Sequence, residues 1–223
     1  MPAGKMTLAY KAKSRKTARS RKRRNKSKKI EDNVDILMKQ MNAETKTKDI
    51  QINEDVSNIW ENCANLFQLK EGTQVDERQG QTIIAQKIKI RGFIKRADNT
   101  QRIRLLVVMF ESAGDASIAN ILEYVQGTTT QPYQGINSFY KMYGDCKFTP
   151  LADKEYVIDN TKTFAKVRLN INIPRKRALM KFTGTVTNED LPQTNLISVF
   201  AVSDSTLTTH PTVKLNIRQK FLA

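Results

Sequence analysis

Residues 11–29 read KAKSRKTARSRKRRNKSKK, and the chemistry they offer is phosphate neutralisation. Lys11, Lys13, Arg15, Lys16, Arg19, Arg21, Lys22, Arg23, Arg24, Lys26, Lys28 and Lys29 are separated only by small or polar side chains. Residues 1–29 hold 13 Lys and Arg and no acid. Each cation that reaches a phosphate releases a condensed counterion and adds affinity without reading base sequence. Runs such as Arg21-Lys22-Arg23-Arg24 also have the composition of a nuclear import signal, a compatible second use. With nothing apolar to bury, the stretch cannot offset its ordering entropy. It is expected to be a disordered arm until it meets a polyanion.

Other chemistry finds little footing. The single histidine, His210, precedes Pro211 at the start of the last strand-like segment and reads as a turn or rim residue. One imidazole without a nucleophile motif makes no Ser–His–Asp or Cys–His arrangement. Gly80, Gly92, Gly114 and Gly127 form no phosphate-cradling fingerprint. Asp115, Asp145, Asp153 and Asp159 are scattered among turns, where solvated loop acids are a stronger reading than an intersubunit calcium site. Cys63 and Cys146 have neither metal-site nor disulfide-framework spacing, which points to a reducing compartment. No enzyme, metal or cofactor is expected.

The charge is unevenly distributed. The formal net charge is +16, from 38 basic and 22 acidic residues, yet residues 30–223 carry 25 basic and all 22 acidic ones. A nearly neutral body thus follows a cationic segment, and the natural partner of the latter is nucleic acid. No apolar run approaches the roughly 18–20 residues of a membrane span, and the first residues lack the apolar core of a secretory signal. No membrane partner is expected, and the protein should act where nucleic acid is, in cytoplasm or nucleus.

The elements that would position these groups begin after the arm. Ile30, Val34, Leu37, Met38 and Met41 recur at helical spacing, with Glu31, Asp32 and Asp35 in the first turn, so a short amphipathic helix is predicted over 30–43. Residues 44–55 read as a linker. Thereafter the pattern has period two. Ile84, Ile88, Ile90 and Ile94 oppose Lys87, Lys89 and Arg91; Val167, Leu169, Ile171 and Ile173 oppose Lys166, Arg168, Asn170 and Asn172. Val213, Leu215, Ile217 and Phe221 likewise oppose Lys214, Asn216, Arg218 and Lys220. Such alternation means antiparallel sheets with one buried face. Ile103–Phe110 is apolar on both faces, as in a central or covered strand.

Eight strands are predicted: 57–69, 82–96, 101–111, 146–158, 163–174, 177–184, 195–203 and 212–221. Asp98-Asn99-Thr100 and Pro174–Arg177 mark tight turns between strands. Residues 112–145 form one long connection with a helical patch at Ile118–Tyr124. The fold predicted for 56–223 is all-β, an eight-stranded antiparallel jelly-roll sandwich. In a jelly roll the third and eighth strands are neighbours. Arg102 and Arg104 would then join Lys214, Arg218 and Lys220 in one basic face, or else form an ordinary solvated one. Few aromatics interleave with these cations, so backbone neutralisation is expected rather than base stacking. Tyr124, Tyr133, Phe139, Tyr140 and Tyr143 cluster on the long connection, either as subunit-interface anchors or as caps of the sandwich ends.

The order of these features resembles a known family. A Lys/Arg-rich segment and linker precede a first strand, then the polar loop EGTQVDERQGQ, then IIAQKIKIRGFIKR and RIRLLVVMFE. This is similar to the capsid protein of circovirus-like viruses, whose small circular single-stranded DNA genomes encode a replication-initiation protein. The family's loop and "I-x-I-x-G-x-I" strand are matched by Arg78, Gly80, Ile88, Ile90, Gly92 and Ile94. FAKVRLNINIPRKR and TVKLNIRQKFLA resemble its distal half. The likeness covers most of 15–223 in layout, though the 30–43 helix has no counterpart and satellite RNA virus capsids share the basic-arm jelly roll. It implies a self-assembling icosahedral shell of simplest symmetry, about sixty copies, with the arms inside on single-stranded DNA. Such a shell would carry roughly 780 arm charges, a large share of those on a genome about two thousand nucleotides long. The virion, and the host nucleus and cytoplasm during infection, would be its locations. A small or satellite RNA virus capsid, or a non-viral basic-tailed nucleic-acid-binding protein, are the alternatives.

Overall fold

The computed structural model describes residues 44–97, 100–124, 134–142, 144, 146–183, 189–206 and 209–223. The expected arm (1–29) and helix (30–43), with Asp98, Asn99, Gly127, Tyr133, Tyr143 and Asp145, lie outside these residues.

Nine strands are described: β1 (Thr45–Asp55), β2 (Glu61–Leu66), β3 (Thr82–Lys95), β4 (Gln101–Ser112), β5 (Phe148–Ile158), β6 (Phe164–Asn172), β7 (Leu179–Lys181), β8 (Thr194–Ser203) and β9 (Thr212–Leu222). They form two sheets. The first has the order β1-β9-β3-β6, with β7 paired to β3 beyond the end of β6. The second has the order β2-β8-β4-β5. All pairings are antiparallel. Eight main strands in this interleaved order make a jelly roll, as the alternation predicts.

Two strand assignments are corrected. Residues 44–55 are not a linker: β1 pairs with β9 over the full run from Thr45↔Leu222 to Asp55↔Thr212. The predicted strand 177–184 is reduced to the three residues of β7, preceded by a 3-10 turn at Arg175–Arg177. The count of eight main strands stands, but every strand predicted from 57–69 to 163–174 moves one place along the series.

Alternation builds the core. Ile88, Ile90 and Ile94 of β3, Val167 of β6 and Val213, Leu215 and Ile217 of β9 are buried on one face of the first sheet. On β4, residues 103, 105, 107 and 109 take one face of the second sheet, and Leu106, Val108 and Phe110 take the other. Gly92 sits where β3 and β9 approach closely: a Cβ there would lie 2.0 Å from the Lys214 carbonyl oxygen. Phe67 and Phe221 meet edge to face with centroids 6.3 Å apart, tying the segment after β2 to β9.

The long connection between β4 and β5 explains why β4 is apolar on both faces. Trp60, Leu106, Val108, Phe110, Phe200 and Val202 form a second cluster, completed by Ile121 and Leu122 and flanked by Ile118, Ile136, Tyr140 and Phe148. A short helix α1 (Ile118–Ile121), capped by Ser117, supplies part of that cover. The segment 118–124 is bound to 134–142 through the backbone bonds Glu123 N–H to Phe139 O (2.8 Å) and Lys141 N–H to Ile121 O (2.9 Å).

Candidate nucleic-acid interface

The cations expected on the folded body separate onto two sheets. Arg102 and Arg104 belong to β4 in the second sheet, whereas Lys214, Arg218 and Lys220 belong to β9 in the first. One shared basic face is therefore excluded by topology. The cause is the missed β1, which made β4 third instead of fourth.

Arg104 is committed to the fold. Its Nε and Nη2 donate to the two carboxylate oxygens of Asp153 at 3.0 and 2.7 Å. Its Nη1 donates to the Ile136 and Ser138 carbonyls at 2.9 and 2.7 Å. The Tyr140 hydroxyl donates to the same Asp153 at 2.9 Å, and the guanidinium lies near the Trp60 and Tyr140 rings. Four donor contacts hold a planar fork flat, so this arginine fastens the cover segment to the sheet. Burial pushes the Asp153 carboxyl up, but the hydrogen bonds from Arg104 and Tyr140 outweigh it and hold the group below the usual carboxylate range. Burial, then the bond to Asp153, pushes the Tyr140 phenol well above its usual value. Arg102 pairs with Glu155 at 2.6 Å.

The cations of β9 do sit on a basic face, with partners the sequence did not reveal. Lys214, Arg218 and Lys220 alternate outward, all exposed. The register sets Phe93 opposite Lys214, Lys89 opposite Arg218 and Lys87 opposite Lys220. On the other side of β3 it sets Arg91 opposite Arg168 and Phe93 opposite Lys166, with Lys95 opposite Phe164. Lys87, Lys89, Arg91 and Lys95 of β3, with Lys166 and Arg168 of β6, therefore extend the face. Its acids among the described residues are Asp49 and Asp55, both on β1 at the far edge. Asp49 is held below the usual carboxylate range by hydrogen bonds from Arg218, whose Nη2 lies 2.6 Å away.

Like charges directly opposite one another across a sheet are destabilising. This face nevertheless contains Arg91 against Arg168 and Lys87 against Lys220. Local rules are broken in this way at functional or strained sites. The expectation that few aromatics interleave with the cations is also revised. Phe93 and Phe164, 40% and 49% exposed, meet edge to face at 6.4 Å at its β6 edge. They are far apart in the chain, so only strand register could have revealed the pair.

The remaining candidates have structural settings. Arg78 is fully buried, lies 4.6 Å from the Phe182 ring centroid and donates to the Gly80 carbonyl, pinning the loop between β2 and β3. Asp159 accepts from Thr161 within a turn, and Asp115 lies in a 3-10 turn after β4. Cys63 and Cys146 are unbridged. Burial, with Glu54 and Glu61 nearby, pushes the Cys63 thiol up to about 12, so it stays protonated at neutral pH. His210 is half-buried in the turn before β9.

No family model and no curated protein matches the chain. Among solved structures, Desmodium yellow mottle tymovirus is similar at 9% identity, covering 81% of this chain and 87% of that one, with a TM-score of 0.34. A decameric BFDV capsid protein follows at 10% identity, 81% and 96% coverage and a TM-score of 0.19. A 60-mer BFDV capsid protein has 11% identity, 81% and 91% coverage and a TM-score of 0.18. At such scores these likenesses carry no argument, and the jelly roll rests on the strand order itself.

Proposed function

We propose that this chain is the shell-forming subunit of a small viral capsid, with a basic N-terminal arm that packages the genome. The observation that carries the reading is the interleaved order β1-β9-β3-β6 over β2-β8-β4-β5, joined to 29 residues holding 13 cations and no acid. Jelly rolls serve as capsid subunits, lectins and cupins. Of these uses, the first is the one with a polyanion to enclose. Lys11 to Lys29 act collectively as phosphate ligands, since single screened charges are individually modest. The arm also serves as a nuclear import signal for a host receptor. Copies of the chain close an icosahedral shell, and the favoured cargo is single-stranded DNA.

The test is direct. Purified full-length protein is imaged by negative stain, and its nuclease-protected nucleic acid is compared under DNase and RNase. Closed uniform particles protecting DNA support the whole reading. RNA in the particles moves the cargo to the alternative class. Monomers or dimers that bind nucleic acid without forming particles overturn the shell in favour of a basic-tailed binding protein. Deleting residues 1–29 abolishes packaging without unfolding the domain; undiminished packaging overturns the arm's role.

A further inference from the structure

The outer face of the first sheet carries more than diffuse positive charge. Between β3 and β6 runs a groove of about 530 Å³ lined by Phe93 and Phe164 together with Arg91, Lys95, Lys166 and Arg168. We propose that this groove is a stacking site for unpaired nucleobases, with the two phenylalanines as platform and the four cations as ligands of the flanking phosphates. The inference rests on the nucleic-acid-binding reading above and commits it to a single-stranded ligand.

Three observations carry it. Exposing two neighbouring aromatic rings to water forfeits the burial that normally places Phe in a core, so an occupant is called for. The occupant is anionic, because each ring faces a lysine across the strands, Phe93 against Lys166 and Phe164 against Lys95. Arg91 and Arg168 adjoin them as a like-charge pair directly opposite across the strands. The acids of the face are on β1, beyond β9, and Asp49 is already paired with Arg218 at 2.6 Å. A duplex presents phosphates but hides its base faces; a single strand presents both, and aromatic platforms in basic grooves bind it with little sequence preference.

The experiment uses the full chain with a single-stranded oligonucleotide carrying 5-iodouracil, irradiated at salt high enough to weaken arm contacts. Adducts are then mapped by peptide mass spectrometry. Adducts at Phe93 or Phe164 are expected, with none from the same oligonucleotide in a duplex. Phe93→Leu combined with Phe164→Leu keeps apolar bulk on exposed positions. It should lose the adducts and weaken single-strand binding about 10-fold while duplex binding is unchanged. Arg91→Gln with Arg168→Gln retains the rings and should lower the salt slope for single strands by about 1.4. Adducts confined to residues 1–29, with the double leucine variant binding as wild type, overturn the proposal. So does loss of assembly in that variant without any adduct, which would assign the face to contact with another copy. Failure to form particles would sink the capsid reading yet leave the adduct map unaffected, so the two failures are distinguishable.

Discussion

Arg104 and Asp153 form a two-point ion pair, at 3.0 and 2.7 Å, on the face of the second sheet that the β4–β5 connection covers. Because the same guanidinium also binds the Ile136 and Ser138 carbonyls, one side chain ties the cover segment to the sheet at three points. Arg104→Ala leaves a carboxylate and two carbonyls without their donor and should cost about 2–3 kcal/mol in urea unfolding. Arg104→Lys should recover less than half of that, since a lysine cannot serve both a carboxylate fork and two carbonyls. Full recovery by lysine would reduce the pair to simple charge attraction.

The same cluster sets a pH window. Asp153 lies below its unfolded value, so its stabilisation is present above about pH 4 and is lost as pH falls through the folded value. Tyr140 lies above its unfolded value, so its stabilisation is present below about pH 10 and is lost as pH rises further. Asp153→Asn should be less stable than wild type at neutral pH, with the gap narrowing on acidification. Tyr140→Phe should flatten the alkaline limb. Unfolding midpoints across pH check both, and parallel curves for wild type and variants would refute the assignment.

Gly92 is required by backbone approach, not by a turn. Gly92→Ala places a methyl against the Lys214 carbonyl, where backbone on both strands must shift, and should cost about 2 kcal/mol or more. Gly144→Ala meets nothing within 4 Å and should stay within about 0.5 kcal/mol of wild type. Chemical denaturation of the two variants side by side makes the comparison.

Truncation locates the start of the fold. A chain beginning at residue 44 keeps β1 and should unfold at the wild-type midpoint. One beginning at 56 strips β1 from β9, exposes an open strand edge and should aggregate. Light scattering and thermal unfolding of both chains test this; a soluble, equally stable chain from 56 would make β1 dispensable.

Phe139 and Met142 are 78% and 81% exposed on the segment that covers the second sheet. The backbone of Phe139 is anchored by the bond from Glu123 N–H to its carbonyl, so its ring is a held apolar projection suited to a subunit contact. Phe139→Ser should stop particle formation and leave the unfolding free energy within about 0.5 kcal/mol. Normal particles from this variant would place the contact elsewhere.

Alternation of period two is a local property, and it was legible. The buried and exposed rows of β6 and β9, and of β3 from Ile88 onward, follow their sequences, as does the two-faced burial of β4. Ile84 is the exception: a bulge between Ala85 and Lys87 shifts the register and places it off the row of Ile88, Ile90 and Ile94. β1 escaped because its inward positions hold Lys46 and Lys48 beside Ile50 and Ile52, which disguises the apolar row. Those amines are satisfied by distant carbonyls, Lys46 by Gln74 at 2.9 Å and Lys48 by Gln68 at 2.6 Å. No local pattern announces such a partner.

Sheet membership, by contrast, belongs to tertiary structure. Nearly every connection crosses between sheets, so overlooking one strand reassigns those that follow to the opposite layer. That is how Arg104 was grouped with Lys214, Arg218 and Lys220, while the cations and phenylalanines of β3 and β6 went ungrouped. The chain by itself determined the segregation of charge, the all-β character and which side of β6, β9 and the latter part of β3 is wet. Only the folded pairing decided which wet sides join, because cross-strand register is set by contacts between residues far apart in the chain.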